Sequence, residues 1–421
     1  MNQLYTQVSK IKKKLYIIGS GLSGLSAAIH SQKKKINVEI YESAKHPGGR
    51  CRSFYDKKTN IVIDNGNHLV FSANKNFKEF CKMIGSSRTL KEISPNFFFF
   101  DLEHNLEWNL DLSSGYGKFL IGKKKLIPNT KLLDYFSLLK FFFVSKKSSV
   151  FDIVGNSKIF KTFWEPLTLG VMNTAPQMAS AKVLSNVLKE TIYKGEKFCR
   201  IFQPKKNWNE TLIKPAIIQI KKNGGQINFG NLLKKIDVTD NYVNELSFIN
   251  HKIKVNKNDK VIIAIPPTNL SKLLGNCSLP EQYNTILNLH FKIKQKDIKL
   301  FQKPIIGFIN SITQWIFVKS NHLSITVSNA NDLNSANTDE LIAQVWNEIR
   351  KYIKKKIIYE SVQIVREKKA TYVQSPNNIS LVKKFNKIPE NMIIAGDWTQ
   401  YNLPCTIEAS ILSGKNAVET I

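Results

Sequence analysis

The chain has 421 residues, 42% of them apolar and 10% aromatic, which excludes disordered and fibrous classes and exceeds what one hydrophobic core usually holds. The formal net charge is +30, yet only six of the 62 basic residues are arginine, and the lysine clusters at 12–14, 33–35, 123–125 and 354–356 are scattered. No RNA-binding or helix-turn-helix signature accompanies them, so the charge reads as solvated surface and no nucleic-acid partner is expected, while an anionic membrane surface stays favoured.

Residues 1–14 are polar and lysine-rich, and the first apolar stretch runs straight into glycines instead of forming a signal-peptide core, so a cytoplasmic protein is expected. Leu15 to Ile18 is a short apolar run, the form of a central parallel strand buried on both faces. It leads into Gly19-Ser20-Gly21-Leu22-Ser23-Gly24, then a helix with Leu22, Leu25, Ala28 and Ile29 on one face, then a strand from Asn37 to Tyr41 ending at Glu42. Gly19 permits the tight turn, Gly21 lets backbone approach a pyrophosphate, and Gly24 lets helix pack closely on strand. The free N–H groups of the first helical turn, at Leu22 and Ser23, meet phosphate charge. Glu42 sits where a carboxylate takes two hydrogen bonds from a ribose diol. Strand, turn, helix, strand and acid in that order point to an adenine dinucleotide. The Gly48-Gly49-Arg50 that follows suits a second backbone cradle with a cation beside the diphosphate, and favours flavin over nicotinamide.

Asn60 to Ser72, which includes His68, reads as strand, turn and short strand. From about 75 to 204 the texture is aromatic-rich. Lys131 to Lys147 places Leu132, Phe136, Leu139 and Phe143 at i, i+4, i+7 and i+11, which fits either a helix packed in a core or one lying among lipid headgroups. Trp164 to Leu167 reads as a turn into a helix from Pro176 to Lys189 with Thr174 as its cap. Gln226 to Asn228 and Lys260 to Ile265 return as strands, the second stopped by Pro266-Pro267. Arg366 and Glu367 suit an internal ion pair or substrate contacts. Met392 to Ala395 is a further apolar strand, closing on Gly396-Asp397, and a helix starts near Thr406 with Ile407, Ile411, Gly414 and Val418 at helical spacing. Asp397 offers a carboxylate for ribityl hydroxyls; the helix start at Thr406 and Ile407 offers a positive dipole end to an electron-rich flavin ring. No window of roughly eighteen uncharged apolar residues occurs, so no membrane-spanning helix is expected. The five cysteines are scattered without a C-x-x-C, and neither a disulfide scaffold nor a metal site is expected.

The βαβ start, the Gly-Gly-Arg and the late Gly-Asp before a helix resemble the FAD-dependent amine oxidase and carotenoid desaturase superfamily. Longer blocks narrow the resemblance to the hydroxysqualene dehydroxylases: Phe163-Trp164-Glu165-Pro166-Leu167, Asn173-Thr174-Ala175-Pro176, Asp64-Asn65-Gly66-Asn67-His68 with Asn67 in place of glutamine, Thr313-Gln314-Trp315-Ile316-Phe317, Arg366 to Tyr372, and Leu403 to Glu408 with Cys405 in place of alanine. The resemblance runs from about 15 to 421.

It implies an α/β chain in which a Rossmann-like FAD-binding domain of the GR2 type (11–74, 205–275 and 376–421) is interleaved with an α+β substrate-binding domain (75–204 and 276–375). It implies reduction of hydroxysqualene, a long-chain isoprenoid alcohol, to squalene by hydride from reduced FAD, with peripheral contact at the inner face of the membrane. His68 and Tyr372 are the candidates for the acid that activates the leaving hydroxyl. A carotenoid-type desaturase and a flavin-free lipid escort are the alternatives; an apolar middle segment disfavours an amine substrate. No covalent flavin link is expected at Cys405, since the family carries alanine there.

Overall fold

The computed structural model describes residues 13–112, 127–275, 277–385 and 388–421. The amino-terminal lysine-rich stretch up to residue 12 and the lysine cluster at 123–125 lie outside the described residues. At the centre is a five-stranded parallel sheet in the order Gln226–Phe229, Asn37–Glu42, Lys14–Ile18, Lys260–Ile263, Met392–Ile394. Side chains alternate across a strand, and here both faces are covered. Leu15 and Ile17 enter a core with Leu25, Trp208 and Ile411, whereas Tyr16 and Ile18 pack beneath a three-stranded antiparallel sheet of residues 233–254.

The helix Leu22–Lys33 lies against the helix Ile407–Glu419, and a Cβ on Gly414 would stand 2.2 Å from the Ser23 carbonyl oxygen. Only glycine allows those two backbones to approach so closely. The helix Lys75–Met83 joins the same core through Phe77 and Phe80. The sequence placed residue 75 at the start of the other unit; the Glu408 carboxylate, accepting hydrogen bonds from the Asn76 and Phe77 backbone N–H groups, holds this helix to the first.

The second large element is a seven-stranded sheet in the order Tyr359–Tyr372, Tyr283–Ile293, His322–Val327, Trp315–Val318, Ile305–Ile309, Asn96–Asp101, Leu106–Asp111. One pair, Ile305–Ile309 with Asn96–Asp101, is parallel and the rest are antiparallel. The amphipathic helix Thr338–Ile353, capped by the Asn337 side chain, buries Leu341, Val345 and Ile349 on one face of this sheet. The opposite face carries Phe97, Phe99 and Phe317 into a core shared with a layer of helices between residues 132 and 199.

Two local expectations change in that layer. Leu132–Phe143 is a 3₁₀ helix, so its inward row repeats every three residues: Tyr135, Leu138 and Phe141 are buried, and the expected row Leu132, Phe136, Leu139 and Phe143 faces outward. Trp164 to Leu167 is not a turn but the passage from a π-helical turn, Phe160–Trp164, into the α-helix Glu165–Met172, with Pro166 in its first turn where a missing N–H costs nothing. The next helix, Ala181–Glu190, is capped by Ser180, and Thr174 instead donates its hydroxyl to the Met172 carbonyl.

Candidate active site

One cavity of about 1130 Å³ extends from the carboxyl ends of the parallel strands to the aromatic face of the seven-stranded sheet. Its polar pole is made by two glycine turns. Gly19 adopts φ +105°, where a side chain would be strained and a Cβ would also strike the Ala264 carbonyl oxygen at 2.5 Å. A Cβ on Gly24 would lie 1.9 Å from the Gly19 carbonyl oxygen, so the helix can sit this close to the turn only with glycine there. Gly21 differs: it opens the helix Leu22–Lys33 without a side-chain cap, and its Cβ position faces open space. The first-turn N–H groups at Leu22 and Ser23 therefore lack side-chain acceptors at the cavity wall. Gly48 (φ +104°) and Gly49 (φ +54°) form the second turn, tied to the first by Gly48 N–H donating to the Ser20 carbonyl at 2.9 Å.

Glu42 lines this pole but is also the lock of the first turn. Its Oε2 accepts from the Ser20 N–H and hydroxyl, both at 2.8 Å, and its Oε1 accepts from the Ala44 N–H. Arg50 does not stand free beside a diphosphate as the motif suggested. Its guanidinium pairs with Asp397 at 2.7 Å and donates to the Ala370 carbonyl at 2.5 Å, joining chain segments 347 residues apart. Burial opposes the Arg50 charge, and Asp397 more than offsets it, so the group titrates above the ordinary guanidinium range. Arg50 still lines the wall, and so does Arg52, a residue the sequence reading passed over, which donates to the Gly49 carbonyl at 2.8 Å and so braces the second turn. Beyond Asp397, Gly396 donates to the Ser413 hydroxyl, and Thr406 caps the helix Ile407–Glu419 by accepting from the Ala409 N–H; Gly396, Thr406 and Ile407 all line the cavity.

The middle of the cavity carries a polar belt. Asn288 donates to the Asn65 carbonyl, Thr326 donates to the Asn288 amide oxygen, and Asn67 donates to the Thr326 hydroxyl. A backbone carbonyl can only accept, so the direction of this chain is fixed from its first link. It leaves the Asn67 amide oxygen as an acceptor without a partner. The Asn65 amide oxygen and His68 Nε2 are likewise unpartnered, and these three are the cavity-lining residues with buried unpaired polar atoms among the described residues. The His68 ring is engaged by the Arg50 backbone, and burial lowers its pKa to about 4. At neutral pH it is therefore uncharged, which suits an acceptor and not an acid. Tyr372 is not part of the wall: its ring packs with Tyr16, Met392 and Trp398, and burial raises its hydroxyl pKa well above the ordinary phenol value.

Arg366 and Glu367 are not an ion pair. As neighbours on a strand they point to opposite faces. Arg366 donates to the Thr338 hydroxyl, whereas Glu367 lines the cavity and accepts from the Asn65 amide at 3.2 Å. Glu367 is thus a carboxyl group of the cavity wall bonded directly to the belt at Asn65, and only its strand register could have singled it out over Arg366. Cys405 also reaches the wall, and burial pushes its thiol pKa well up, so it holds its proton. Past the belt the cavity becomes apolar, walled by Phe97, Phe99, Phe163, Ile192, Trp315 and Phe317.

The sequence profile of the flavin containing amine oxidoreductase family matches residues 22–421. Hydroxysqualene dehydroxylase of Sinorhizobium fredii is 31% identical, over 97% of this chain and 98% of that protein. Hydroxysqualene dehydroxylase of Zymomonas mobilis is 33% identical, over 96% of this chain and 98% of that protein. Among solved structures, a putative protoporphyrinogen oxidase from Exiguobacterium sp. 255-15 superposes with a TM-score of 0.72 at 15% identity, covering 97% of this chain and 98% of the other.

Proposed function

We propose, from the premise that the chain belongs to the flavin containing amine oxidoreductase family and to its hydroxysqualene dehydroxylases, that it reduces hydroxysqualene to squalene and water with FAD as cofactor. The observation that carries this reading is the single cavity joining a diphosphate-type glycine pole to an aromatic arm, with a polar belt holding unpaired acceptors between. The pole fits the cofactor. Gly19, Gly21, Leu22, Ser23, Gly24, Gly48 and Gly49 would cradle the diphosphate, Glu42 and Arg52 its flanks, and Gly396, Asp397, Thr406 and Ile407 the flavin end.

Reduced FAD supplies a hydride to the carbon that loses oxygen. The arm lined by Phe97, Phe99 and Trp315 aligns the hydrocarbon and excludes water. Asn67 Oδ1 or His68 Nε2 accepts the one hydrogen bond that the hydroxyl can donate, and Glu367 delivers the proton with which it departs as water. The C–O bond breaks, a C–H bond forms, and one hydride and one proton balance the change. Squalene carries no hydroxyl and would leave both acceptors unpaired, so the belt favours substrate over product.

The protein's place of work, in this reading, is the cytoplasmic side of the membrane that holds such lipids. All five cysteines are free, as a reducing compartment allows, and no described helix is long and apolar enough to cross a bilayer. The test is incubation of the reduced, FAD-loaded protein with hydroxysqualene and analysis of the lipid products. Squalene is expected. A conjugated polyene made from a more saturated precursor by the oxidised form would instead establish a desaturase, and absence of flavin absorbance near roughly 450 nm after reconstitution would establish the lipid escort.

A further inference from the structure

The 3₁₀ helix Leu132–Phe143 presents an unusual surface. Phe143 is 91% exposed, Leu133 72% and Phe136 51%, and Leu132, Leu139 and Phe142 are each more than a third exposed. Isolated exposed apolar residues need no explanation, but six large ones on one twelve-residue segment form a patch. The segment is held firmly from behind. Phe141 stacks on Trp164 with ring centroids 4.8 Å apart, the Trp164 indole N–H donates to the Ser137 hydroxyl, and the hydroxyls of Ser185 and Tyr193 donate to the Phe141 and Leu138 carbonyls. These anchors bury Tyr135, Leu138 and Phe141 and leave the remaining side chains pointing outward.

Around the patch stand Lys131, Lys140, Lys146, Lys147 and Lys189, the last placed 6.0 Å from the Phe142 ring centroid. Asp134, the acid inside the segment, is taken up in accepting from the Lys131 N–H. A second copy of the chain seated here would bring lysine against lysine. A bilayer with anionic headgroups complements both the apolar residues and their cationic rim.

The patch also backs onto the cavity. Phe141 touches Trp164, which packs edge-on against Phe163 of the apolar arm; Phe142 stacks on Tyr193, the neighbour of Ile192 in the same wall. We infer that the face of Leu132–Phe143 docks the protein on anionic lipid bilayers and sets the apolar arm against the membrane from which its substrate is drawn. The docking stands on the surface alone; the delivery of substrate rests on the proposed reaction.

The experiment uses the FAD-loaded full chain and sedimentation with vesicles of phosphatidylcholine, with and without phosphatidylglycerol. The parent is expected to bind the phosphatidylglycerol vesicles in a salt-sensitive manner. The triple variant Leu133→Ser, Phe136→Ser, Phe143→Ser, altered only at side chains at least half exposed, should lose roughly tenfold or more of that binding. It should keep its flavin content and its turnover of detergent-dispersed hydroxysqualene, and lose turnover of the vesicle-borne substrate. The variant Lys140→Glu, Lys146→Glu, Lys147→Glu should lose the preference for phosphatidylglycerol. A parent that ignores vesicles, a serine variant that binds them unchanged, or a parent dimer abolished by the same serines would each overturn the docking. Loss of the reaction with docking intact would overturn only the proposed chemistry.

Discussion

Two glycines three residues apart, Gly21 and Gly24, should respond to the same methyl group in opposite ways. At Gly24 an added Cβ meets the Gly19 carbonyl oxygen at 1.9 Å and Ile17 Cγ2 at 3.3 Å, and neither the turn nor the buried strand can retreat without opening the sheet core. Overpacking of this kind costs about 1–3 kcal/mol and more against rigid backbone, so Gly24→Ala should lower the melting temperature of the apoprotein by several degrees. At Gly21 the backbone already has φ −66°, open to any residue, and nothing lies within 4 Å of the Cβ position. Gly21→Ala should leave the apoprotein as stable as the parent, or up to about 1 kcal/mol more stable through a stiffer unfolded chain. The methyl would occupy the space kept clear for a diphosphate, and FAD affinity should fall by at least about tenfold, roughly 1.4 kcal/mol. Thermal melts of the apoprotein and flavin titration of both variants read the two effects separately. If Gly21→Ala destabilised the apoprotein as much as Gly24→Ala while binding FAD normally, the assignment of that open space to the cofactor would be refuted.

Glu367→Gln removes the proton proposed for the departing hydroxyl but keeps an amide oxygen for Asn65; turnover should drop at least about hundredfold with flavin content unchanged, as measured by single-turnover squalene formation. His68 makes stability depend on pH with a definite sign. Burial holds its folded-state pKa near 4, against about 6.5 in the unfolded chain, with Asp64, Arg50 and Lys319 as the charged groups acting on it. The unfolded chain takes up the proton first, so the His68 contribution is complete above about pH 6.5 and declines as the pH falls towards 4. Denaturation midpoints at pH 7 and pH 5 should differ by roughly 1–2 kcal/mol more in the parent than in His68→Gln. His322, lowered to about 3 by burial, adds a decline of the same sign that the variant retains.

The nucleotide-type entrance was legible because its constraints are local. The strand, the glycine turn, the helix and Glu42 are contiguous, and each follows from sterics within a few residues. The strand order was not, since the sheet places residues 226–229 at one edge and 392–394 at the other, joined only by pairing with strands more than a hundred residues away in the chain. The same distance hid the fate of Arg50: nothing near it in the chain announces that Asp397 and the Ala370 carbonyl will take its guanidinium. The Leu132–Phe143 segment misled for a different reason. Its composition fits a helix of either pitch, and only the three-residue period decides that Tyr135, Leu138 and Phe141 turn inward. Arg366 and Glu367 show the complementary case, where one step of strand register separates a residue at the cavity from one on the opposite face. Tyr372 lies farther along that strand with its ring in an apolar core.

The pairing of Arg50 with Asp397 carries a consequence for biogenesis. The cradle at Gly48 and Gly49 is synthesised within the first eighth of the chain, yet its bracing partner and the capped helix behind it belong to the last thirty residues. A nascent polypeptide halted before that point would own most of the glycines and still present an unfinished pocket. Flavin capture therefore marks a translation product that has reached its carboxyl-terminal helix, and yellow colour becomes a report of completed assembly.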